Sequence, residues 1–88
     1  MSPELDPAKD AVNILKHGVS LSDGDGVLAD PMALTIEDQT SRGEARYVTL
    51  GMNVFGALMV VVWTERNNAV RFISVRKAAP KERQDYEG

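Results

Sequence analysis

The stretch ALMVVVWTERNNAVRFISVRKA, residues 57–78, decides the fold. Its opening is apolar at consecutive positions and rich in valine, the pattern of a strand buried on both faces. Two asparagines follow at 67 and 68, and asparagine tolerates the positive φ that a tight hairpin turn demands. The second arm, about residues 69–78, then reads as the antiparallel partner of a strand over 57–65. Period-two alternation along that arm assigns Arg71, Ile73, Val75 and Lys77 to one face and Phe72, Ser74, Arg76 and Ala78 to the other. Glu65 and Arg66 stand near Arg71 in such a hairpin, with Glu65 and Arg71 expected as a surface cross-strand ion pair.

Working outward, RYVTLGM (46–52) alternates and reads as a strand, and MALTIED (32–38) puts Met32, Leu34 and Ile36 on one face of another. QTSRGEA between them is a polar turn. Upstream, Asp6-Pro7 is a helix start: Asp accepts from free N–H groups and Pro suits the first helical position. Ala8, Ala11, Val12 and Leu15 recur at helical spacing and Gly18 stops the run, which predicts a helix over 7–17. Pro3 limits any strand ahead of it to an edge stub. In SLSDGDGVLADP, Gly24 and Gly26 each cost a helix about 0.8–1 kcal/mol relative to Ala, so a frayed turn is expected. Its DGDG lacks the terminal Glu of a calcium loop. Pro80 opens a short helix over 80–87, with Tyr86 as its one apolar anchor. The expectation is one α+β domain over residues 1–88: a small antiparallel sheet of about four strands flanked by an N-terminal and a short C-terminal helix.

Composition narrows the function. With no cysteine and one histidine, neither a disulfide nor a thiolate or imidazole metal site is expected, and no cofactor motif appears. The longest apolar run is strand-sized and the N-terminus has no signal core, so a cytoplasmic protein without a membrane anchor is expected. The net charge of -3 is unevenly spread. Residues 1–44 hold nine acidic and three basic side chains, whereas residues 45–88 hold four acidic and seven basic ones. An acidic chain with a basic half can present a local positive patch.

Several residues could carry chemistry. His17 ends the first predicted helix beside Lys16, where it can act as a C-terminal cap or a proton shuttle. Glu44 and Arg46 point to one face, two residues apart, as a base with its orienter or as an ordinary ion pair. Arg76 and Lys77 close the final strand.

Read in order, DPAK…LKHGVS, GEARYVTLG, VVVWTERN and VRFISVRKA…ERQDYE resemble the BrnT family of bacterial type II toxin–antitoxin toxins, from Asp6 to Glu87. The resemblance implies a fold similar to RelE-type ribonucleases. It implies metal-free RNA cleavage by attack of the ribose 2′-OH, arrest of translation, and neutralisation by a BrnA-like ribbon-helix-helix antitoxin. On that basis Arg66 and Arg76 are expected to stabilise phosphoryl charge, and His17 or Glu44 to handle the proton. Lys77, Arg46 and Lys16 are then expected RNA contacts. A relative that binds the antitoxin without cleaving RNA remains the alternative.

Overall fold

Asn67 and Asn68 adopt φ of 53° and 63°, the left-handed turn that their side chains tolerate. The turn joins β3 (Leu58–Arg66) to β4 (Ala69–Lys77), and with β1 (Leu34–Asp38) and β2 (Arg46–Met52) these strands form one antiparallel sheet in the order β1-β2-β3-β4. Helix α1 (Pro7–His17) precedes the sheet and α2 (Pro80–Glu87) follows it, as the sequence pattern predicts. The computed structural model describes residues 6–38 and 43–88. Residues 39–42 of the polar turn expected over 39–45, and the edge stub expected at Pro3, lie outside those residues.

Strict alternation does not survive along β4. Val62 pairs with Ser74 and Trp63 with Phe72, which leaves Ile73 as the extra residue of a β-bulge. Phe72 and Val75 consequently share the inner face, where both are buried. Beyond the bulge the parity is reversed: Arg71 and Arg76 end on the outer face, with Lys77 on the other. The expected Glu65–Arg71 pairing also shifts, since Glu65 stands opposite Val70 and Arg71 opposite Thr64. A bulge cannot be read from alternation because both readings of an FIS run are equally apolar.

The inner face carries the core of Met59, Val61, Phe72 and Val75. Its lid is not a helix. Leu21 and Val27, both fully buried, come from two short 3₁₀ turns, Leu21–Gly24 and Val27–Ala29. Gly24 makes this approach possible, because a Cβ there would stand 3.0–3.1 Å from Val75, Phe72 and Val61. The glycine that weakens a helix in this segment is what lets the turn sit on the sheet.

Helix α1 is capped by Asp6, whose carboxylate accepts from the Ala8 N–H at 2.9 Å, and ends at Gly18 with φ 75°. Its apolar stripe is not the face that docks. Val12 is 60% exposed and Leu15 88% exposed. The inward side consists of Asp10, Asn13 and His17, one to two turns apart. Asn13 is buried and donates from Nδ2 to the carbonyls of Val75 and Val19, each at 2.8 Å, while its Oδ1 accepts from the Val75 N–H at 3.1 Å. Asp10 accepts from the Leu21 N–H at 2.6 Å and the Ser20 hydroxyl at 2.9 Å. The helix thus closes the open edge of β4 by polar contacts rather than by apolar burial.

Asn13→Ala would strand the Val75 N–H and carbonyl in a dry site. We expect a loss of ~2–4 kcal/mol in chemical denaturation, at a cost of about 1–3 kcal/mol for each buried group left unsatisfied.

Candidate functional site

At the hairpin end of the outer face, the Thr64 hydroxyl donates to the Ala45 carbonyl at 2.6 Å and ties the start of β2 to β3. Thr64 is buried, so the residues on either side of Ala45 are held firmly. Glu44 and Arg46 flank it on the outer side, and both line a small polar cavity of about 160 Å³. Arg66, Arg71, Lys9 and Asp6 complete its charged wall. Arg66 Nη2 donates to Glu44 Oε2 at 2.6 Å.

That hydrogen bond, more than any through-space effect, holds the Glu44 carboxyl below the usual carboxylate range. Desolvation opposes it, and the charges of Arg66, Arg46 and Arg71 add to it. Glu44 is therefore ionised near neutral pH. Three arginines within range of one carboxylate give the cavity the surplus positive charge that an anionic ligand needs.

A second, apolar-floored groove of about 420 Å³ opens alongside, between α1 and β4. Lys16 and His17 line it with Val12, Asn13 and Ser74. His17 Nε2 lies 3.5 Å from the Ser74 hydroxyl, so the ring faces the strand instead of capping its own helix. Lys9 and Ile73 line both hollows, which makes them neighbours.

Arg76 stands elsewhere. It lies five residues along β4 from Arg71, and its guanidinium makes a two-pronged pair with Glu82 at 2.8 and 2.7 Å. Glu82 also accepts from the Ala79 N–H at 2.8 Å, which closes the first turn of α2. The Arg76 pair, with the Ala79 N–H assisting against desolvation, brings the Glu82 carboxyl down to about 2. The far end of α2 is anchored where the Tyr86 hydroxyl donates to Asp30 Oδ2 at 2.7 Å. Lys77, exposed, follows Arg76 at the strand's end.

The residues singled out in sequence thus separate into three groups. Glu44, Arg46 and Arg66 meet in one cavity; His17 and Lys16 share the adjoining groove; Arg76 and Lys77 are at the opposite end of β4. Lys9 and Arg71 join the first group without having been foreseen there. Lys9 reads only as an exposed helical lysine until the helix is laid along β4. Arg71 lies near Arg66 in the hairpin reading, but its expected pairing with Glu65 gives it a structural role there.

The comparison with family models matches residues 5–82 to the ribonuclease toxin, BrnT, of type II toxin–antitoxin systems. The chain belongs to the BrnT family. It is a ribonuclease toxin of that class by membership, and the class implies an antitoxin partner and an RNA target. Comparison with individual curated proteins returns no match. Among the described residues of this BrnT chain, no helix is long and apolar enough to cross a membrane.

The Glu82 pair predicts a pH dependence. Its folded carboxyl titrates at about 2 against an ordinary 4.5, so the stabilisation is complete above pH 4.5 and is lost as pH falls toward 2. For a partly exposed pair this is on the order of 1 kcal/mol. Urea midpoints of wild type and Glu82→Gln should differ at pH 7 and converge near pH 2.

Proposed function

We propose that the chain cleaves RNA without a metal ion, with the Glu44 cavity as the reaction centre, and so arrests translation until a BrnA-like ribbon-helix-helix antitoxin binds it. The activity rests on family membership. The location rests on one observation: Glu44, Arg46, Arg66 and Lys9 line a single cavity together with Arg71.

The chemistry needs three things: charge stabilisation on the phosphoryl oxygens, removal of a proton from the 2′-OH, and a proton for the leaving 5′-oxygen. Arg66 and Arg46 supply the first, since guanidinium groups bind phosphate oxygens through paired N–H donors. Glu44 supplies the second. In the free protein it is a weak base because Arg66 holds it down. A phosphate taking Arg66 removes the main cause of that depression, and the carboxyl rises back toward its ordinary range as substrate binds. Glu44 then accepts the 2′-OH proton while the 2′-oxygen forms its bond to phosphorus. The bond to the 5′-oxygen breaks, and His17 in the adjoining groove donates the proton that the 5′-oxygen takes up. The products are a 2′,3′-cyclic phosphate and a free 5′-hydroxyl. Lys16 and Lys9 bind flanking phosphates, which carry position rather than sequence. Arg76 holds α2 in this scheme.

The test compares induced expression of wild type, Arg66→Ala and Arg76→Ala, with total RNA run on a gel. Arg66→Ala should cut cleavage by about 10²–10³-fold, the usual loss when one donor to a developing oxyanion is removed. Arg76→Ala, where folded, should retain cleavage within a few-fold. Full activity in Arg66→Ala would refute this location. Folded wild type that leaves RNA intact would refute the nuclease reading and leave a partner-binding relative.

A further inference from the structure

The outer face of the sheet is partly bare. Register aligns Ser74, Val62, Val48 and Ile36 in one row across all four strands, and Leu50 with Leu34 in the next. Ile36 is 68% exposed and Leu34 47% exposed. α2 occupies the far end of this face, from Arg76 on β4 toward the Asp30–Met52 contact at the end of β2. The row begins at Ser74, which is also a wall of the α1–β4 groove. Beyond the groove lies the outward stripe of α1, with Val12 at its border. Groove, row and stripe adjoin one another at Ser74 and Val12.

Its border from α1 across β4 to β2 is basic. Lys9 and Lys16 edge the groove, and neither forms an ion pair among the described residues. Arg71, Thr64 and Arg46 form the row beside Val62 and Val48, and the row ends on β1 in Asp38, beside Ile36. This basic rim belongs to a chain whose net charge is -3, so it is a local feature rather than a reflection of the whole.

We propose that this trough is the docking site for an acidic amphipathic segment of the antitoxin. The inference rests on the type II toxin reading above and adds where the partner binds and what chemistry it presents. Four strands at about 4.8 Å spacing set the row at roughly 14 Å, the length of two to three helical turns. An amphipathic helix laid along it would set its apolar stripe on Val62, Val48 and Ile36 and its carboxylates toward Lys9, Lys16 and Arg46. RNA is the poorer occupant of this floor, because valine and isoleucine offer no surface on which bases stack. Docking also blocks the reaction centre, since Lys9 and Ile73 belong to both the trough and the Glu44 cavity. One segment therefore both recognises the toxin and closes it.

The probe is a purified BrnA-like antitoxin, titrated against wild type, Val12→Glu, Ile36→Glu and Phe55→Glu. Phe55 is 80% exposed on the β2–β3 turn, outside the trough, and serves as the control. Val12 and Ile36 are exposed enough for the fold to accept a carboxylate, and circular dichroism checks it. Val12→Glu and Ile36→Glu should each weaken antitoxin binding at least tenfold, with Phe55→Glu within twofold of wild type. Ile36→Glu alone should still cleave RNA at the wild-type rate and resist inhibition by the antitoxin. Equal affinity of all four proteins would overturn the docking site and leave the toxin reading intact. No binding by wild type would remove the partner and overturn both. Loss of RNA binding in Ile36→Glu, with antitoxin affinity unchanged, would assign the trough to RNA and overturn the proposal.

Discussion

The structure depends on how the open edge of β4 is closed. A strand at the end of a sheet presents backbone N–H and C=O groups to whatever lies beside it, and a dry neighbour that cannot bond them is costly. Here one side-chain amide does what a fifth strand would do. Asn13 offers a donor and an acceptor spaced like a peptide group, and both reach Val75. The N–H of Val75 needs an oxygen and its carbonyl needs an N–H, so the amide can face only one way. Val75 is in turn fully buried and pairs across the sheet with Val61 at the centre of the core. Helix, edge and core are therefore joined at one residue.

That mode of closure explains the unusual orientation of α1. A helix docked by its apolar stripe would hide Val12 and Leu15. Docked through Asp10, Asn13 and His17, it leaves them outside, and the 3₁₀ turns carrying Leu21 and Val27 cover the inner face instead. The bulge at Ile73 has a comparable effect on charge. It brings Phe72 and Val75 to the same side and puts Arg76 on the outer face that Arg71, set opposite Thr64 by the hairpin turn, already occupies. Without the extra residue, Arg76 would fall on the inner face and Val75 on the outer one.

The sequence made local structure legible and left the assembly obscure. Asp6-Pro7 and Gly18 mark both ends of α1, and Asn67-Asn68 mark the hairpin, because caps and turns are decided by residues a few positions apart. The four-stranded order follows from short connections and alternating strands. The bulge, the polar docking of α1 and the need for Gly24 depend on distances between segments, which periodicity does not contain. The same limit divided the candidate site. Glu44, Arg46 and Arg66 came together because Thr64 bonds Ala45 across a strand pair. Arg76, similar to them in sequence, found Glu82, and nothing in a run of polar helix residues distinguishes that carboxylate from its neighbours.

The single tryptophan of the chain sits where these elements meet. Trp63 stacks on Tyr47 with ring centroids 4.6 Å apart, and its indole N–H donates to the buried Thr49 hydroxyl at 2.8 Å. It is the β3 residue next to Thr64 and pairs across the bulge with Phe72. Its emission therefore comes from one defined spot, with a tyrosine energy donor in contact and one hydrogen bond setting the polarity around the ring. The protein carries its own optical reporter on the inner face of the β2–β3 pair, one residue before the Thr64 that ties β2 to β3, and no label needs to be added to follow that pair in solution.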